Sequence, residues 1–119
     1  MPKKLSFPKT RRLTSGAEFE RVRKSGRTQK NKFLIVTVLA VDGGVSFRAG
    51  FVTSRRIGGA VLRNRVRRRL REIVRKHQHQ IASPVWVVTV AREASANASF
   101  AQLEDAWLRL AERASILAH

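Results

Sequence analysis

The sequence predicts one α/β domain, a single sheet with helices packed on it, in the order α-β-β-α-β-α. Three observations predict it. Two stretches, 33–41 and 85–91, are short apolar runs rich in β-branched residues, the signature of buried strands. Two stretches begin on S-x-x-E/Q capping boxes, Ser15 with Glu18 and Ser99 with Gln102, and so open helices. A third helical stretch, ending near His77, places its aliphatic residues three and four apart. No repeat and no linker divides the 119 residues, a length that buries a core without disulfides or a metal.

Taken in order, residues 1–12 read as a flexible basic arm, with Pro2 and Pro8 flanking Lys3, Lys4 and Phe7. Residues 13–119 form the domain. A short helix follows Ser15, carries Phe19 and Val22 on one side, and stops at Gly26. The strand at 33–41 comes next, and Arg27 to Lys32 adds a possible edge piece. Asp42-Gly43-Gly44 predicts a hairpin turn into a half-buried strand in which Val45, Phe47, Ala49 and Phe51 alternate with small or polar residues. Gly58-Gly59 ends that pattern before the central helix. Pro84 opens the strand at 85–91, and Phe100, Leu103, Trp107, Leu110 and Ala114 line one side of the last helix.

Charge narrows the function. Lys and Arg number 25 against 8 acidic residues, a formal net charge of +17. Residues 1–32 hold 11 basic and 2 acidic groups, residues 55–76 hold 10 and 1, and the remainder is close to neutral. Arg outnumbers Lys 18 to 7. Solubility alone does not need that bias. A planar fork that grips phosphate and stacks on bases does, so the partner is a nucleic acid ahead of a membrane surface. The absence of Cys excludes disulfides, thiolate metal sites and thiol nucleophiles. No apolar stretch is long enough to span a bilayer, and the N-terminus lacks a signal-peptide core, so a cytoplasmic location is expected.

The central helix carries the most information. At about 100° per residue, Leu62, Val66, Leu70, Ile73 and Val74 fall on one stripe. Asn64, Arg68, Arg71 and Arg75 fall opposite, with Arg65 and Arg67 as shoulders and Arg63 at the stripe's edge. Like charges three and four apart cost ~0.2–0.5 kcal/mol per pair in a helix, and only Glu72 offsets them. A merely solvated face usually mixes signs. The carboxylates form no catalytic or metal-binding grouping, His77 and His79 do not share a helix face, and there is no G-x-S-x-G, Walker or G-x-G-x-x-G sequence. The chain offers no catalytic residue set and no assigned metal ligands.

The run from Arg55 through Gly58, Ala60-Val61 and Arg63-Asn64-Arg65 to Arg71-Glu72 resembles the signature of the bacterial ribonuclease P protein component family. That signature reads K/R-x-x-G-x-A-V-x-R-N-R-x-K/R-R-x-x-R-E. Leu13 and Phe19 in an early helix, Ser54 before the basic pair, and Arg92 after the last strand agree, so the resemblance spans about residues 9–115. It implies a small two-layer α/β sandwich with a left-handed βαβ crossover around the Arg-rich helix. It also implies the small subunit of a ribonucleoprotein that removes 5′ leaders from precursor tRNA. The partners would be a catalytic RNA, which holds Mg²⁺ and performs the cleavage, and precursor tRNA; no protein partner is required. RNA contact then falls to Arg55, Arg56, Arg63, Asn64, Arg65, Arg68, Arg69 and Arg71, flanked by Arg67 and Arg75. Leader contact falls to Phe19 in a cleft between the first helix and the sheet, with Phe7, Phe33 and Phe51 as further candidates. Where many relatives carry a second aromatic one turn after the first, this chain has Arg23, and it has no Tyr. A guanidinium would there replace a ring. The competing reading is a small basic structural RNA-binding protein of ribosomal type. A DNA reader ranks last, since only Asn64 suits adenine among the arginines.

Overall fold

In a computed structural model the chain is described over residues 11–42, 47–81 and 84–117. The basic arm up to residue 10, with Phe7, and the Gly43-Gly44 pair of the expected turn lie outside these residues. The elements are α1 (Gly16–Ser25), β1 (Arg27–Lys30), β2 (Leu34–Ala40), β3 (Arg48–Thr53), α2 (Ala60–His77), β4 (Val85–Ala91) and α3 (Phe100–Arg113). Short 3₁₀ turns cover Arg55–Ile57, Gln78–Gln80 and Glu93–Asn97.

Both capping boxes form: Ser15 and Glu18 open α1, and Ser99 and Gln102 open α3. The edge piece is also real. β1 pairs antiparallel with β2, Arg27 opposite Val38. Leu13 stands just before α1 rather than in it, and its N–H donates to the Ala49 carbonyl at 2.9 Å.

The hairpin between the second and third strands does not form. The sheet order is β1-β2-β4-β3: β4 runs antiparallel to β2 and parallel to β3, so it separates the two strands that the Gly-Gly turn suggested would pair. β3, α2 and β4 are therefore a parallel βαβ unit between adjacent strands. The physical reason lies in β4. Val85, Val87, Thr89 and Ala91 are buried on the core face and Val88 on the other, the two-sided apolar character of a strand with neighbours on both sides.

Alternation sorts the sheet into two faces. Leu34, Val36 and Val38 of β2, with Val85, Val87 and Ala91 of β4, meet α2 and α3. There Val66, Leu70, Ile73 and Val74 fill the interface from α2, and Leu103, Trp107 and Leu110 from α3. The buried Trp107 donates its indole N–H to Thr89 Oγ1 at 3.1 Å. This is the sandwich proper. Among the described residues the other face carries one helix, α1, packed on a small cluster of Leu13, Val22 and Val88, against which Phe19, Leu39, Trp86 and Val90 pack.

Two features stabilise α2 within the sandwich. Gly58, at φ 143°, lets the chain turn from the 3₁₀ segment into the helix, and an added Cβ would stand 2.8 Å from Leu62 Cδ2. That positive φ explains the fixed glycine in the signature. At the other end, Lys76 and His77 reach across to Glu104 of α3 at 2.8 and 3.0 Å. Hydrogen bonds from Lys76, then His77, hold the Glu104 carboxyl below the usual carboxylate range, against the opposing effect of burial.

Two outcomes follow. Gly58→Ala should cost ~1–3 kcal/mol of stability, the usual scale of a strained backbone position, read as a lowered unfolding midpoint; an unchanged midpoint would mean the turn relaxes freely. The lowered folded-state pKa of Glu104 means its contribution is present above the unfolded value, ~4.3, and is lost as pH falls through the folded one. Denaturant titrations of wild type and Glu104→Gln should therefore differ at about pH 5 and converge as the pH falls below it. A gap that widens in acid would contradict this.

Candidate RNA interface

The α2 face opposite the core is a guanidinium surface with little acid to neutralise it. Asn64, Arg65 and Arg68 are exposed beside Val61, whose side chain is 79% exposed although apolar. With Arg69 these residues line an open groove of about 450 Å³. At the head of the helix, Ser54 Oγ accepts from the Arg56 N–H at 3.3 Å and caps the 3₁₀ turn. That turn buries Ile57 and leaves Arg55 and Arg56 exposed.

The remaining arginines of the helix are partly committed to the fold. Arg67 donates to Thr53 Oγ1 at 2.7 Å, tying α2 to the end of β3. Arg69 donates to the Ala98 carbonyl at 2.8 Å, ahead of α3. Arg75 forms a forked pair with Glu72 one turn earlier. Arg63 and Arg71 are half-buried, and the Nε of each is buried without a hydrogen-bond partner. Burial first, then the positive charges of Arg12, Arg67 and Arg68, lower the basicity of Arg71. Guanidiniums driven together and left short of acceptors suit an anion brought from outside.

Beside this face, at the outer edge of β3 where Arg12 bridges Ala49, lies a cleft of about 200 Å³. Phe19 forms one wall, Gly50 and Phe51 the floor, Arg67 and Arg71 the far side, and Arg12 to Thr14 the lip. The Phe19 ring rests on Gly50 so closely that a Cβ there would come within 2.5 Å of Cζ. Phe51 sits on the sheet face of α2 and α3, packed against the core, and reaches the cleft only because β3 is an edge strand.

Two of the other leader candidates are elsewhere. Phe33 lies at the β1–β2 turn next to α3, among Asn31, Gln102, Asp105 and Arg109, remote in position from the Phe19 cleft. Arg23 is exposed on α1 and forked with Glu20 in the preceding turn, so an acid offsets its charge.

The sequence did not disclose a second groove, about 650 Å³, where β2 begins and β3 and β4 end. Ile35 and Val90 form its floor on the α1 face, and Lys32, Arg56 and Arg92 rim it. Arg92 donates to the Asn31 carbonyl at 2.8 Å. Three basic residues at strand ends gave a weak local signal, but only the insertion of β4 between β2 and β3 brings them together. Among the described residues no group of His, Asp and Glu has the makings of a metal site, and no helix is long and apolar enough to cross a membrane.

Known proteins match the chain over nearly all of its length. The family model described as Ribonuclease P matches residues 7–115. The ribonuclease P protein component of Symbiobacterium thermophilum is 38% identical over 109 residues, covering 92% of this chain and 95% of that protein. That of Roseiflexus castenholzii is 42% identical over 108 residues, covering 89% and 87%. Among solved structures, a mutant RNase P protein of Staphylococcus aureus superposes with a TM-score of 0.86 at 27% identity over 92% of each chain. The RNase P protein of Thermotoga maritima superposes with a TM-score of 0.76 at 26% identity, over 86% of this chain and 96% of that one. With the fold, the arginine face and the signature in agreement, the chain belongs to the ribonuclease P protein component family.

Proposed function

We propose that the chain is the protein subunit of ribonuclease P, an endoribonuclease holoenzyme of tRNA processing, and that its two surfaces divide the work. The exposed α2 face and the 3₁₀ turn, with Arg55, Arg56, Arg63, Asn64, Arg65 and Arg68, bind the catalytic RNA. The cleft of Phe19, Gly50 and Phe51 takes the single-stranded 5′ leader of precursor tRNA, with Arg71 and Arg67 facing its phosphates. Cleavage belongs to the catalytic RNA with its Mg²⁺, and the site of action is the cytoplasm. The observation that carries the reading is adjacency: a guanidinium array with one internal carboxylate borders a cleft whose wall is a half-exposed aromatic ring. Phosphates are met by the first, and a base can stack on the second. Nothing favours the ribosomal-type alternative, for which the Phe19 cleft has no use.

Reconstitution tests the whole reading. Purified protein with Mg²⁺ and precursor tRNA should yield no site-specific 5′ product until the cognate RNA is added. Product formed without the RNA would overturn the division of labour.

The phosphate reading makes affinity for the catalytic RNA salt-dependent. About 6–10 contacts correspond to a log–log slope of magnitude about 4–9. Arg65→Ala with Arg68→Ala should flatten it by about 1–2 units, and both side chains are exposed, so the fold should hold. An unchanged slope would leave the face merely solvated.

Stacking on an aromatic ring is worth ~1–3 kcal/mol per base. Phe19→Ala should weaken holoenzyme affinity for precursor tRNA about 5- to 150-fold, with little change for mature tRNA. Equal loss for both forms, with a large drop in melting midpoint, would assign Phe19 to packing alone.

A further inference from the structure

We propose that Arg48 is a positioning residue for leader recognition: its guanidinium, more than the packing of α1, fixes where Phe19 stands over β3. The inference rests on the reading of the Phe19 cleft as the leader site.

α1 needs an anchor. It is ten residues long, and its only fully buried side chain is Val22. The apolar cluster beneath it has three buried members, whereas α2 and α3 share a large core. Packing of that size gives a short helix few apolar contacts to set its tilt about Val22.

Arg48 adds a polar anchor at the end where Phe19 sits. It stands on β3 opposite Trp86 of β4. Its fork donates to the Glu18 carboxylate, the residue next to Phe19, and also to the Arg12 carbonyl at 2.8 Å. Its guanidinium lies over the Trp86 ring, 5.5 Å from the centroid, and Arg21 of α1 covers the same ring at 5.1 Å. Glu18 in turn accepts from the N–H groups of Thr14 and Ser15, each at 3.1 Å. One side chain thus joins the lip of the cleft, the first turn of α1 and two strands. The pair is no ordinary surface contact, since the Arg48 and Glu18 side chains are only 23% and 20% exposed. Two residues further along β3 is Gly50, over which the Phe19 ring has no slack. The anchor and the floor of the cleft are therefore parts of one strand, and a shift of α1 relative to Arg48 is a shift of Phe19 relative to the floor.

Arg48→Met keeps much of the side chain's bulk and removes the fork; Arg48→Lys keeps the charge without the fork. The reconstituted holoenzyme, at saturating protein and well below the melting midpoint, is assayed for affinity to precursor tRNA and to mature tRNA. Arg48→Met should reduce the precursor-over-mature preference about tenfold, ~1.4 kcal/mol, and Arg48→Lys should restore part of it. In a Phe19→Ala background, Arg48→Met should cause no further loss of preference, because it acts through that ring. If Arg48→Met does not fold, Glu18→Gln, which weakens the same link from α1, carries the same expectation. Equal losses for both tRNA forms, or losses that add to those of Phe19→Ala, would overturn the inference. If Phe19→Ala itself leaves the preference intact, the leader reading fails and this inference with it. If Phe19→Ala removes the preference and Arg48→Met preserves it, this inference alone fails.

Discussion

The structure depends on α2 lying in the sandwich against its own electrostatics. Between Arg63 and Arg75 the helix carries seven arginines and a single acid, Glu72. Pairs three and four apart each cost ~0.2–0.5 kcal/mol, so the array costs a few kcal/mol before any tertiary contact. Against this stands full burial of Val66, Leu70, Ile73 and Val74, worth ~1.5–3 kcal/mol each. The apolar stripe prevails. The repulsion persists in the folded state, where burial and then the charges of Arg12, Arg67 and Arg68 lower the basicity of Arg71. A bound polyanion would relieve that repulsion.

Sheet order converts this helix into a site. With β4 between β2 and β3, β3 becomes an edge. Along its outer side, where Arg12 bridges Ala49, residues of α1, α2 and the segment before α1 meet β3, and the Phe19 cleft forms there. The same insertion gathers Lys32, Arg56 and Arg92 around the second groove. The arginines committed to the fold have a consistent part in this. Arg67, Arg69 and Arg75 fix the helix to β3, to the segment before α3 and to itself, and so present their exposed neighbours in a set geometry.

What could be read in the sequence was local. The capping boxes, the two strong strands and the stripe of α2 all follow from spacing within a dozen residues, and each forms as expected. The order of the strands could not be read, because near-continuous apolar runs mark β2 and β4 alike as interior strands without saying which neighbours each takes, and Asp42-Gly43-Gly44 suits a hairpin as well as a longer connection. Phe51 and Phe33 were candidates by residue type alone. The alternation with Phe47 and Ala49 already places Phe51 on the core face, while nothing in the sequence places Phe33 beside α3. Arg48 and Gly50 had no signal as site residues, since their importance lies in contacts with α1 about 30 residues away in the chain.

If the α2 face holds its uncompensated charge for RNA and not for stability, reversing one exposed charge on it separates the two roles. Arg65→Glu tests it most directly. In the free protein a glutamate there would stand three and four residues before Arg68 and Arg69, a favourable arrangement on a helix, and Arg65 touches nothing in the core. Melting of the free protein at low salt and binding of the catalytic RNA are measured on the same variant. The account predicts a melting midpoint equal to or above that of wild type, together with at least about a tenfold loss of RNA affinity, ~1.4 kcal/mol. A lowered midpoint with RNA affinity unchanged would contradict it.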